Sequence, residues 1–267
     1  MKFFKNLLFT LFVVHAFFTK SVDSKLLSFQ SEYDISLGKS DKPRIPGRTY
    51  VDQASGYLLI DWIDNCGKSW VTNQRMMTKF INSHGVGSVS EINYSLNETN
   101  DSKEMEFLLE VKEDAEIVDR QHGKAEKKPE LIVKFMQNDK ELKLSSDIIF
   151  PHKFLEDILE NLYSGKKMIV RNVYEGTIPD KFFNISVFFT DEIEVVEKNL
   201  LSKDIVNKFK KVRMAYYQDK GQTPIFEQTV HLNSQGIASY FRYDYPDYSL
   251  DLNLKKIKLT PLNCKDR

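Results

Sequence analysis

From Tyr248 the chain reads Tyr-Ser-Leu-Asp-Leu-Asn-Leu, apolar at every second position, and this two-residue period recurs from Tyr33 almost to the C-terminus. Alternate side chains of a strand point to opposite faces, so such a chain buries one face of a sheet and wets the other. Turn residues arrive about every ten positions, as between the strands of a meander. The pattern predicts a mainly β fold with strands over 33–37, 57–64, 70–81, 88–96, 104–111, 131–137, 140–144, 168–174, 182–190, 212–218, 225–232 and 237–243. The clearest hairpin turns through Asn233, Ser234, Gln235 and Gly236, where glycine accepts a positive φ. In the last strand Tyr248, Leu250, Leu252 and Leu254 share a parity that Ile257 and Leu259 break, so a bulge is expected at Lys255 and Lys256.

One helix interrupts this pattern, near residues 151–164. Pro151 suits a first helical position, Phe154, Leu155, Ile158, Leu159 and Leu162 form one stripe, and Gly165 suits the stop. The polar segments 38–47 and 121–129 read as long surface loops.

The N-terminus carries Lys2 and Lys5, then an apolar run from Leu7 to Phe18, then a polar stretch. That run falls short of the about 20 residues that cross a bilayer, so residues 1–24 are expected to be a signal peptide and 25–267 one exported β domain. No later segment is long and uncharged enough to span a membrane. Cys66 and Cys264, the two cysteines of the 267-residue chain, both follow the signal, and in an oxidising compartment they read as one disulfide. The alternative is two unrelated buried thiols. Their wide spacing is unlike that of reactive pairs, which gives the bond a structural rather than a redox role.

Charge excludes some partners. The 38 basic residues balance 38 acidic ones, so no net field draws the chain to nucleic acid. The basic clusters Lys208, Lys210, Lys211, Arg213 and Lys255, Lys256, Lys258 alternate with apolar residues, as solvated strand faces do. Gly67-Lys68-Ser69 and Gly38-Lys39-Ser40 imitate the end of a phosphate-binding loop without its leading glycine. His152 and Glu156, four apart, read as a helix-surface pair, since no second histidine is near. Gly87 and Ser88 lack the flanks of a nucleophile elbow, and His84, His122 and His231 are scattered singly. Asn93, Asn97, Asn100 and Asn184 open sequons of the kind polar loops generate. No catalytic, cofactor or metal residues are assigned. The 19 phenylalanines and 12 tyrosines either fill a core or line a cavity in a curved sheet.

The segment from Gly56 through Arg75, with Trp62, Asp64, Cys66, Trp70, Asn73 and Gln74, resembles the amino-terminal signature of the cell envelope integrity EipB family of alphaproteobacteria. Tyr33, Ile35 and Leu37 are similar to that family's opening strand, Phe150 and Pro151 to its helical entry, and Gly236 through Tyr248 with Cys264 to its closing strands. Here Gly67, Lys68 and Ser69 separate Cys66 from Trp70, one residue more than the family's usual spacing. The resemblance implies a periplasmic protein whose long antiparallel sheet coils into a β-spiral or bowl, closed by a Cys66–Cys264 disulfide. It implies a non-catalytic role in envelope integrity, exercised by binding an envelope protein, with a periplasmic tetratricopeptide-repeat protein as the implied partner. Two alternatives stand beside it: a periplasmic carrier of lipid, lipoprotein or apolar peptide, and a cell-wall hydrolase, which needs an acid, base or nucleophile gathered in one pocket.

Overall fold

The first strand pairs with the last. The computed structural model describes residues 26–39, 45–138, 140–197, 199–218, 221–261 and 264, and in it β1 (Phe29–Leu37) runs antiparallel to both β2 (Val51–Asp64) and β14 (Ser249–Leu259). The expected signal segment lies outside the described residues, as does half of the expected loop over 38–47. From β2 the chain meanders outward through β3 (Ser69–Asn82), β4 (Gly87–Thr99), β5 (Glu104–Glu113), β6 (Glu116–Lys128), β7 (Glu130–Phe135) and β8 (Glu141–Leu144). After helix α1 (Pro151–Leu162), the strands β9 (Met168–Val173), β10 (Phe183–Val195), β11 (Lys208–Gln218), β12 (Phe226–Leu232) and β13 (Ala238–Asp244) step back to β14. The result is the expected antiparallel meander, a 14-stranded sheet whose edges, β8 and β9, come from the middle of the chain.

The sheet coils without closing into a barrel. The residues that follow β9, the last strand in the sheet order, lie on β4 and β5, far away in that order. Tyr174 meets Phe107 edge to face at 5.9 Å, and the Tyr94 hydroxyl donates to the Glu175 carbonyl at 2.6 Å. The two edges do not pair directly. The segment before the helix covers β9 instead, through a parallel bridge between Ile149 and Val173, which removes part of an edge that would otherwise present open hydrogen-bonding groups.

Local chemistry explains the tight turns. Between β2 and β3 the Lys68 N–H donates to the Asn65 carbonyl, with Cys66 and Gly67 at φ 53° and 71°. Two successive positive φ values make the primed turn whose twist matches a hairpin, and the Asp64 carboxylate steadies it by accepting the Gly67 N–H at 2.7 Å. The bulge expected in β14 is present. Tyr33 faces Leu254 and Glu32 faces Lys256, leaving Lys255 unpaired, with its Nζ 3.1 Å from carboxylate oxygens of both Glu32 and Asp34.

The expectation for the second loop fails. Residues 121–129, read as a surface loop, mostly belong to β6, which pairs along β5 and β7. The inward residues there are Gln121, Gly123 and Ala125, too small or polar to look like a buried stripe. They are small because Phe107 needs the space: a Cβ on Gly123 would lie 2.6 Å from the Phe107 ring.

The helix sits inside the coil. Phe154, Ile158, Leu159 and Leu162 pack on Ile169, Val187, Val212 and Val230, from strands β9 to β12. A second cluster joins the central strands around Tyr33, Leu58 and Leu252, and a third gathers Phe107, Val133, Phe150 and Tyr174 where the far end of the sheet folds over. No described helix is long and apolar enough to cross a membrane.

Candidate functional site

The strands carry their inward side chains in register around the bowl. Leu109 on β5 lies opposite Tyr94 on β4, Tyr94 opposite Gln74 on β3, and Met76 opposite Leu58 on β2. On the other arm Tyr243 of β13 faces Gln228 of β12, and Phe226 faces Tyr216 of β11. These residues bound a cavity of about 370 Å³, with Pro151 of α1 and Glu175 and Thr177 of the β9–β10 loop completing the wall. A smaller, more apolar space of about 180 Å³ beside the helix shares Gln74 and Tyr216 with it. Most apolar side chains on the larger wall, among them Met76, Ile92 and Phe226, are only half-buried, because their inner sides face empty space. The aromatic residues, which either fill a core or line a cavity on the sequence pattern, do both.

One wall is a column of rings. Tyr216 stacks on Phe226 with centroids 4.1 Å apart and planes 18° from parallel, and Phe226 continues to Tyr245 at 6.0 Å and 26°. Stacked aromatics supply a rigid apolar surface with hydroxyls at the rim. The Tyr216 hydroxyl donates to the Gln228 side-chain oxygen at 2.9 Å. Burial, with the Glu175 charge second, holds the Tyr216 and Tyr94 phenols well above their ordinary range, and burial brings Tyr245 to about 12. Glu175 opens onto the cavity and is half-buried, and its partial desolvation there pushes its carboxyl up to about 7.

The helix closes the bowl through another acid, this one fully buried. Glu98 on β4, with no exposed surface, accepts the backbone N–H groups of His152 and Lys153 at 2.6 and 3.2 Å. Its neighbour His152 corrects the reading of a helix-surface pair. The imidazole is buried, 5.0 Å from the Trp70 ring and 5.6 Å from Trp62, and only Glu156 of the pair reaches the surface. Helical spacing gave no sign that the N-terminal turn is driven against a pair of contacting tryptophans.

The Cys66 and Cys264 sulfurs are bonded, with Cα atoms 5.6 Å apart across 198 residues of sequence. The bond ties the β2–β3 turn to the exposed tail beyond β14, away from the cavity. His84, His122 and His231 fall on the turn after β3, on β6 and on β12, and none lines the cavity. His231 pairs with Glu194 at 2.7 Å on the outer face. Among the described residues no group of three or more potential metal ligands gathers. The cavity wall joins, among the described residues, one carboxylate to tyrosines, glutamines and a threonine, without a histidine, serine or cysteine.

Composition and spacing did not mark Glu175, Gln74, Gln228 or Glu98 as site residues. Parity carried a signal for three of them. Gln74 shares the parity of Met76, Gln228 that of Phe226 and Val230, and Glu98 that of Tyr94 and Leu96. A polar residue on an inward stripe needs an internal partner or an internal opening. Glu175 lies in a loop, where no parity applies.

The model of the EipB-like family matches residues 21–261. The chain is 22% identical over 247 residues to the cell envelope integrity protein EipB of Brucella abortus, across 88% of this chain and 85% of that protein. It also superposes on the crystal structure of a beta-barrel-like protein, a domain of unknown function from Brucella abortus, with a TM-score of 0.80 at 21% identity, covering 89% of this chain and 99% of the other.

Proposed function

Because this chain belongs to the EipB-like family, we propose that it supports cell envelope integrity as an exported, non-catalytic protein that holds an apolar ligand in its bowl. This puts the carrier reading ahead of the protein-binding one, and the cavity is the observation that carries the reordering. A space of about 370 Å³ toward which half-buried isoleucine, methionine and aromatic side chains turn costs packing energy unless something occupies it. Its volume and the apolar side chains of Leu58, Met76, Ile92 and Leu109 suit an acyl chain, and its polar groups suit the head of an amphiphile. The compartment is the periplasm, reached after removal of residues 1–24, and the disulfide is compatible with it. The lone carboxylate of the wall argues against hydrolysis, which calls for an acid and a base or nucleophile converging on one substrate.

Nile red titration of the mature protein tests this function. One saturable site is expected, lost in Ile92→Trp, whose indole enters the cavity from β4, with circular dichroism unchanged. Equal binding by a folded Ile92→Trp, or none by the parent, contradicts it.

A protein-binding role is the second reading, favoured by one feature of the outer face. On the edge strand β9, Met168 and Val170 are exposed beside Phe188, which lies opposite Met168 on β10. An apolar patch at a sheet edge is a site where another chain can dock, and an envelope protein of the tetratricopeptide-repeat class would be a partner of this kind.

A further inference from the structure

The cavity holds an acid without a partner. Among the described residues no side chain donates a hydrogen bond to the Glu175 carboxylate and no lysine or arginine lines the wall, so burial alone accounts for its displaced titration. Tyr94 from β4, Tyr216 from β11 and Tyr243 from β13 lie close enough to feel its charge. None of the three satisfies it. The Tyr94 hydroxyl donates to the Glu175 main-chain carbonyl and the Tyr216 hydroxyl to the Gln228 side-chain oxygen, and the structure gives no hydrogen bond from Tyr243 to the Glu175 carboxylate. A half-buried carboxylate without a hydrogen-bond partner is poorly solvated, and a cation held beside it would offset that cost.

The surroundings specify the form of that charge. A compact metal ion needs several oxygen or nitrogen ligands, and the wall offers one carboxylate. An organic ammonium needs little more than one carboxylate and the faces of aromatic rings, which attract cations through their quadrupoles. The stacked Tyr216, Phe226 and Tyr245 provide those faces in the same cavity. An anionic head group would meet the Glu175 charge with no cation to offset it.

Resting on the reading that the bowl binds an apolar ligand, we propose that the cavity selects an amphiphile with an organic ammonium head, placed between Glu175 and the stacked rings, its chain against Leu58, Met76 and Ile92. The head favours ionised Glu175, so binding releases a proton. Affinity then falls as pH drops below about 7, while the facing phenols of Tyr94, Tyr216 and Tyr243, all displaced upward, stay neutral.

Calorimetric titration of the mature protein with decyltrimethylammonium, decanol and decanoate, each below its micellar concentration, tests the assignment. At about pH 8 the cation should bind about tenfold more tightly than the alcohol, with decanoate weakest. Glu175→Gln should lower cation affinity about tenfold, change decanol affinity less than about twofold, and remove the loss of cation affinity between about pH 8 and about pH 6. Equal affinities for cation and alcohol, or an unchanged ratio in Glu175→Gln, would overturn the head-group assignment and leave the apolar bowl standing. Binding of none of the three would overturn both.

Discussion

The Glu98 carboxylate on β4 accepts the backbone N–H of His152, 54 residues further along the chain, at 2.6 Å, and so caps the helix that begins at Pro151. Helix N-termini are usually capped by a side chain of the residue just before them. Here that residue is Phe150, which cannot act as a cap, and the acceptor comes from a strand on the opposite arm of the meander. One buried carboxylate therefore ties the plug to the wall of the bowl and faces the positive end of the helix dipole. Burial raises its pKa, and hydrogen bonds from Ser102, His152 and Lys153 oppose that rise.

Replacing Glu98 by alanine leaves two N–H groups at a buried helix terminus without an acceptor. A loss of about 2–4 kcal/mol is expected. Glu98→Gln keeps one acceptor oxygen and should cost about 1 kcal/mol. Urea unfolding of the two variants beside the parent gives both differences, and equal losses would remove the capping role.

Gly176 positions the loop that carries Glu175. Its φ is 73°, and a Cβ there would lie 2.4 Å from the Phe107 ring. Gly176→Ala should lower stability by about 1–3 kcal/mol and weaken Nile red binding, since the loop must lift from β5. A melt and a titration at parental values would show that the loop is not held this way.

The Cys66–Cys264 bond closes a loop of 198 residues. The chain-entropy formula sets its contribution at about 5 kcal/mol at most. Reduction should lower the melting temperature without loss of strand signal at low temperature, because the core clusters do not depend on the bond. An unchanged melt in reductant would end its structural role.

Glu175 makes the stability of the ligand-free protein pH-dependent. Its folded pKa rises from 4.5 to about 7, so between those values the native state binds more protons than the unfolded chain, and stability falls as pH rises. Below about 4.5 the group costs nothing, and above about 7 the full penalty, about 3 kcal/mol at most, is present. Glu175→Gln should therefore be more stable than the parent at about pH 8 and equal to it at about pH 4. A constant difference across that range would contradict an ionisable, desolvated Glu175.

The strands were legible where large apolar residues alternate, and the β14 bulge was legible because Leu254 and Ile257 break parity. β6 was not, because a sheet coiled this tightly fills its inside from one wall, and the strand facing Phe107 contributes glycine and alanine. The helix boundaries followed from Pro151 and Gly165, but the burial of His152 against Trp62 and Trp70 depends on how far the sheet curls, which strand parity does not encode. Glu175 was the least visible: it is an acid in a loop, and its role arises from chain reversal over β4 and β5.

Native mass spectrometry of the mature protein, released from its own envelope without denaturant, tests the binding function most directly. A one-to-one adduct of amphiphile mass, extractable into organic solvent and missing from Ile92→Trp prepared in the same way, is the expected result. Bare protein mass in both preparations would contradict a bowl that holds a ligand.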